Sequence, residues 1–211
     1  MSSLPVYLYI PNILGYARIV LAFYGIYLSG SNPVGAVVTF VVSASLDLVD
    51  GILARRLQQT SSLGIVLDIG ADNILRTCCW IAAACHEDAS PLLKTLASAI
   101  VCLEWITMLA TQLHAAHSQV HWKSEREKDP WLVRALYANG FKNPIGAVTM
   151  YGLFSANLWT YGEFHPVLYD RIPLFELFKF TAYFGRALGI CVEVWMIKGY
   201  ISLVLEKDKK Q

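Results

Sequence analysis

The sequence predicts an all-α polytopic membrane protein with six transmembrane helices, read as a single membrane domain over residues 1–211. Three observations lead there. Of 211 residues, 55% are hydrophobic and 16% charged, whereas an average soluble domain is about 25% charged. Mean hydropathy is +0.45. Ile19 to Leu46 form an unbroken run without a charge. A soluble helical bundle needs a polar face recurring at helical period, and residues 34–46 and 143–162 have no charge on any face. At about 20 residues per crossing, six helices and their connections fit the length.

The same numbers exclude other classes. High hydrophobicity with a net charge of +1 is the opposite of the disorder signature. Seventeen basic residues against sixteen acidic ones make no bulk field toward nucleic acid. The five cysteines, Cys78, Cys79, Cys85, Cys102 and Cys191, are odd in number and lie in or beside apolar runs. They read as small hydrophobes, with no disulfide framework. Residues 1–10 contain no basic stretch and no small-residue cleavage site follows, so no removable leader is expected.

The crossings follow in order. Ser29-Gly30-Ser31-Asn32-Pro33 is a turn signal and divides the first apolar run into helices over about 12–29 and 34–53. The third, about 66–86, starts with Asp68, Asp72 and Arg76 and is apolar from Ile74 to Cys85. A loop at His86 to Pro91 leads to the fourth, about 92–117, whose one acid, Glu104, reads as a helix–helix contact. Residues 121–142 are the most polar segment. The fifth crossing covers about 143–162 and the sixth about 174–205, the latter holding Lys179, Arg186, Glu193 and Lys198. Trp159 and Tyr161 suit interfacial anchors. Basic residues gather between helices two and three (Arg55, Arg56), between four and five (Lys123, Arg126, Lys128, Arg134, Lys142) and in the tail. Positive-inside then puts both termini and the long polar loop in the cytosol.

Asp47, Asp50, Asp68 and Asp72 stand where a membrane helix ordinarily carries leucine. Each charge at membrane depth costs about 2.5–3.5 kcal/mol, so four need compensation. Asp47 and Asp50 share a face at i, i+3, and Asp68 and Asp72 at i, i+4. The short connection Arg55 to Ser62 brings the two faces together near the cytosolic interface. Hard oxygen donors call for Mg²⁺, Mn²⁺ or Ca²⁺, and a two-metal carboxylate site suits phosphoryl transfer. Gly51 and Gly64 remove side chains where a ligand approaches closely, and Arg55 is placed to meet a phosphate. The bland alternative is an ion-paired seam neutralised by Arg55, Arg56 and Arg76, which leaves one acid over.

Asp47-x2-Asp50-Gly51-x2-Ala54-Arg55-x8-Gly64-x3-Asp68-x3-Asp72 resembles the signature of the CDP-alcohol phosphotransferases at every specified position. At roughly 1 in 15 per position, eight chance matches have odds on the order of 10⁻⁹. The resemblance implies six helices around a polar cavity open to the cytosolic side, and transfer of a substituted phosphoryl group from a CDP-linked donor to an alcohol with release of CMP. It implies that Asp47, Asp50, Asp68 and Asp72 hold a two-metal Mg²⁺ or Mn²⁺ site. It further implies that Asp72 is also the catalytic base, and that Gly51, Arg55 and Ser61 line the nucleotide and diphosphate site. Ile10-Pro11-Asn12-Ile13-Leu14-Gly15-Tyr16-Ala17-Arg18-Ile19 is similar to the first-helix opening of eukaryotic phosphatidylinositol synthases. That subfamily implies CDP-diacylglycerol and myo-inositol as substrates, an endoplasmic reticulum membrane and a homodimer.

The chain departs from that subfamily on the acceptor side. Asn73 stands where an Arg usually follows the fourth acid, with Arg76 one turn on. Thr107-Met108 replaces a Ser-His pair, and Lys142-Asn143-Pro144 replaces an Arg-Pro entrance to helix five. Lys123, Arg134 and Lys142 flank the cytosolic mouth as acceptor-binding candidates or ordinary headgroup contacts. Arg186, an intramembrane charge, is a further acceptor candidate, against a salt bridge to Glu193. A sister enzyme with another acceptor alcohol and a catalytically silent paralogue stand as alternatives.

Overall fold

The computed structural model describes residues 4–118 and 129–209, and their regular structure is helical throughout. The helices are α1 (Ile10–Ser29), α2 (Pro33–Arg56), α3 (Ser62–Ala84), α4 (Pro91–Ser118), α5 (Trp131–Tyr137), α6 (Pro144–Glu163), α7 (Pro166–Tyr169) and α8 (Phe175–Asp208).

Local chemistry sets the starts. The Asn32 side-chain oxygen accepts the Gly35 N–H at 2.9 Å, and Pro33 opens α2 with its φ already helical. At α3 the Ser61 hydroxyl accepts the Gly64 N–H at 3.0 Å. That cap starts α3 at Ser62, four residues ahead of the expected 66, and brings Leu63 and Ile65 into the helix. Asn143 does double duty before α6. Its oxygen accepts the Gly146 N–H at 2.8 Å, and its amide donates to the Leu136 and Ala138 carbonyls at 3.1 and 2.8 Å. The intervening turn reverses through left-handed Asn139, Gly140 and Phe141.

Ile10–Ser29, Pro33–Arg56, Pro91–Ala116 and Phe175–Asp208 are each long and apolar enough to cross a membrane. The other two expected crossings, α3 and α6, have 23 and 20 residues but are more polar. Several of their polar groups are buried: Asn73 and Arg76 in α3, Thr149, Asn157 and Thr160 in α6.

The chain divides into two compact units, one of residues 1–97 with 160–172, the other of 98–159 with 173–211. In the first, α1 packs on both α2 and α3. Small residues bring the backbones together: Ala22 and Ala36 are fully buried, and Gly25 lies under the Phe40 ring. The Ser43 hydroxyl donates to the Arg18 carbonyl at 2.9 Å, fixing α1 against α2 beside the acids. Tyr161 closes the α1–α2 turn by donating its hydroxyl to the Ser29 carbonyl at 2.7 Å. Val20, Phe23, Tyr24 and Tyr27 point outward, exposed, as a lipid-facing stripe must.

In the second unit α6 and α8 meet glycine to backbone. A Cβ at Gly185 would lie 2.0 Å from the Val148 carbonyl oxygen, and one at Gly152 2.3 Å from the Arg186 nitrogen. Small residues are what allow membrane helices to approach so closely. Gly185→Val is therefore expected to cost about 3 kcal/mol or more, since backbone cannot step aside as a side chain can. A thermal melt in detergent reads this, with Gly199→Ala, which meets nothing within 4 Å, as the control on the same helix. Equal melting of Gly185→Val and wild type removes the close-packing account.

Candidate active site

Three helices of the first unit build the site. Asp47 and Asp50 come from α2, Asp68 and Asp72 from α3, and Arg18 from α1. The connection between α2 and α3 is only residues 57–61, and it turns through Gln58 in the left-handed region, φ 53°. The Gln59 N–H then donates to the Ala54 carbonyl at 2.9 Å. The buried Gln59 side chain accepts the Ile10 N–H at 3.0 Å, so the turn is tied to the start of α1. These bonds hold the two acidic faces in register.

Asp47, Asp50 and Asp68 each bring a carboxylate oxygen to within 4.8 Å of the others. Arg18 sits among them, fully buried. Its Nη1 is 2.7 Å from Asp47 Oδ1, 3.2 Å from Asp50 Oδ2 and 3.0 Å from Asp68 Oδ1, while its Nη2 pairs with Asp72 Oδ1. Asp72 thus joins the cluster through the guanidinium rather than through the shared oxygen triangle. Arg76 lies within electrostatic reach of Asp72 and bonds the Asn73 side-chain oxygen. Two guanidinium charges against four carboxylates leave a formal excess of negative charge. The Asp68 side chain is 51% exposed, so the cluster opens outward. A carboxylate triangle of this size, already gathered round a positive nitrogen, fits a hard divalent cation such as Mg²⁺ or Mn²⁺.

Beside the acids is a cavity of about 160 Å³, lined by Asn12, Gly51, Gln59, Thr60, Ser61 and Gly64, with Asp50 and Asp68 in its wall. This holds part of a ligand, since whole small-molecule pockets run to about 300–1,000 Å³. The Arg55 guanidinium lies over Gly51, 3.7 Å from where a Cβ would stand, and is exposed. Gly64 is a close approach: a Cβ there would lie 2.9 Å from the Asn12 side-chain oxygen.

The structure thus brings Asp47, Asp50, Asp68, Asp72, Gly51, Arg55 and Ser61 into one region of the first unit. Arg134, Lys142 and Arg186 belong to the second unit, and Lys123 lies outside the described residues. Arg134 and Lys142 are exposed. Arg186 is buried, with Nη2 3.2 Å from Glu104 Oε1 and Nη1 2.9 Å from Glu193 Oε2. Glu104 makes the interhelical contact expected of it.

Sequence reasoning gave no role to Arg18, Asn12 or Gln59. A signal existed for Arg18: it is a charge within the first apolar helix, the same criterion that singled out Arg186. Asn12 and Gln59 have no such signal, being ordinary polar residues near helix ends whose placement is tertiary.

The family model described as CDP-alcohol phosphatidyltransferase matches residues 8–173. The chain is 33% identical over 138 residues to CDP-diacylglycerol–inositol 3-phosphatidyltransferase 1 of Arabidopsis thaliana, covering 65% of this chain and 60% of that protein. To the CDP-diacylglycerol–inositol 3-phosphatidyltransferase of Schizosaccharomyces pombe it is 29% identical over 136 residues, 64% of this chain and 56% of that protein. The human protein of the same name is 29% identical over 114 residues, 54% of each chain. The matches thus span between half and two thirds of these relatives. No solved structure matches.

Proposed function

We propose, because this chain belongs to the CDP-alcohol phosphatidyltransferase family, that it transfers the phosphatidyl group of CDP-diacylglycerol to myo-inositol, forming phosphatidylinositol and releasing CMP. The observation that carries the reading is the convergence of acids from two helices on one cation position. The names of the relatives supply the donor and the acceptor.

Asp47, Asp50 and Asp68 would hold a divalent cation between their converging oxygens, and Asp72 would complete the metal site from the same face of α3 as Asp68. Bound Mg²⁺ or Mn²⁺ supplies positive charge to the bridging phosphates, where negative charge builds as CMP leaves. Gly51, Ser61 and the pocket they line take the diphosphate and nucleotide, and Arg55 pairs with a phosphate oxygen. The acceptor hydroxyl oxygen forms a bond to the phosphorus that carries diacylglycerol. The bond from that phosphorus to the oxygen bridging to CMP breaks, and CMP departs with that oxygen. Asp72 receives the hydroxyl proton as general base. Arg134 and Lys142 offer exposed cations for acceptor or headgroup anions. The reaction takes place at the cytosolic face of the endoplasmic reticulum membrane, where basic loops face inward.

CMP release from CDP-diacylglycerol by the purified protein, with Mg²⁺ or Mn²⁺ and with or without myo-inositol, tests the reading. Inositol-dependent release is the expected result. Release only with a different alcohol, or none in a preparation that binds CMP, rejects the inositol assignment.

Gly51 gives a sharper check, because stability and binding should move in opposite directions. A Cβ there meets only the Arg55 guanidinium, and replacing a helical glycine by alanine gains up to about 1 kcal/mol. Gly51→Ala should therefore melt slightly higher than wild type and bind CMP more weakly. Unchanged CMP affinity by titration takes Gly51 out of the nucleotide site.

A further inference from the structure

We propose that Arg18 is a resident counter-cation, which holds the four carboxylates together before a divalent ion arrives and competes with that ion for the same oxygens. The inference rests on the metal-dependent reading above and concerns a residue outside the acidic signature.

One nitrogen, Arg18 Nη1, lies at 2.7, 3.2 and 3.0 Å from oxygens of Asp47, Asp50 and Asp68. These are the three residues whose oxygens converge closely enough to share a metal. A guanidinium nitrogen and a metal ion cannot both occupy that centre. The second nitrogen takes Asp72, so a single side chain from α1 cross-links acids of α2 and α3. Its Nε is buried without a hydrogen-bond partner among the described residues, and the two terminal nitrogens of the side chain bond the acids. The side chain has no solvent exposure, whereas that of Asp68 is 51% exposed. Arg18 therefore reaches the acids from the protein side, and a cation from solution reaches them from the open side.

The physical need is plain. Carboxylates crowded in a low-dielectric setting repel unless an opposite charge lies between them. In the metal-free protein Arg18 supplies that charge, and the assembly of α1, α2 and α3 does not wait for metal. When a divalent ion binds, Arg18 must give up its Nη1 contacts. Its charge then weakens metal binding by opposing the incoming cation, which keeps the site exchangeable.

The test uses the full chain in detergent, with Mn²⁺ as the probe. Free Mn²⁺ is read by its electron paramagnetic resonance signal and stability by thermal melting. Chelated Arg18→Met should melt well below chelated wild type. Mn²⁺ should raise its Tm by more than it raises wild type, and its Mn²⁺ affinity should be roughly tenfold tighter or more, the scale on which one neighbouring charge acts. Arg18→Lys, whose single ammonium cannot reach all four acids at once, should fall between the two in chelated stability. Equal chelated melting, or weaker Mn²⁺ binding by folded Arg18→Met, overturns the proposal. So does an Arg18→Met protein that fails to fold even when Mn²⁺ is present throughout, because the ion then cannot replace the guanidinium. Wild type that binds no Mn²⁺ overturns the metal-dependent reading itself. Wild type that binds Mn²⁺ but releases no CMP rejects only the proposed reaction, and leaves the Arg18 comparison to be decided on its own readouts.

Discussion

Asp72→Asn should reduce CMP release by a factor of about 10² to 10⁴, the range over which a positioned general base acts, while the protein stays folded and keeps much of its CMP affinity. The substitution preserves shape and one acceptor oxygen. Asp72 meets Arg18 through Oδ1, a bond an amide oxygen still accepts, so the cluster should stay assembled. What is lost is the capacity to take a proton. Asp47 and Asp68 differ in kind, because both belong to the oxygen triangle. Asp47→Asn or Asp68→Asn should weaken metal and CMP binding together, so binding titrations separate the two classes. Near wild-type turnover by Asp72→Asn would falsify the base assignment.

Arg186→Met should destabilise the protein by about 3–5 kcal/mol, the usual result of removing one partner from a buried ion pair. Arg186 is 3% exposed and lies against Glu104, 2% exposed, and Glu193, 9% exposed. Its loss removes the guanidinium that two buried carboxylates share. Replacing all three with apolar residues of similar volume should restore most of the stability, since desolvation of the whole group is then avoided. Melting in detergent of wild type, Arg186→Met and the triple variant Arg186→Met/Glu104→Leu/Glu193→Leu reads the difference. A triple variant no more stable than Arg186→Met removes the ion-pair account. The KM for myo-inositol in the triple variant tests the acceptor role separately: a contact to acceptor is lost with the guanidinium, whereas a purely structural triad leaves KM in place.

Much of the site is legible because it is local. Asp47 and Asp50 are three residues apart and Asp68 and Asp72 four, so helical geometry alone puts each pair on one face. The connection between them is short enough that the faces cannot separate far. The Asn32-Pro33 turn is equally local, and the hairpin falls where its residues place it. The start of α3 is less so, since it is set by the Ser61 cap rather than by the apolar spacing.

By itself the sequence determines the helical class, the apolar runs, the acidic signature and hence the family, because each is written in spacings of a few residues. Only the tertiary structure decides which charge answers the acids. Arg76, one turn from Asp72, adds its charge there, yet the side chain that pairs with all four acids is Arg18, 32 residues from Asp50 and 54 from Asp72. Arg186 likewise finds Glu104 as well as Glu193. The reason is physical: helix geometry fixes neighbours at i+3 and i+4, whereas partners across helices are selected by which backbones pack closely enough to exclude water, and that depends on the whole assembly at once.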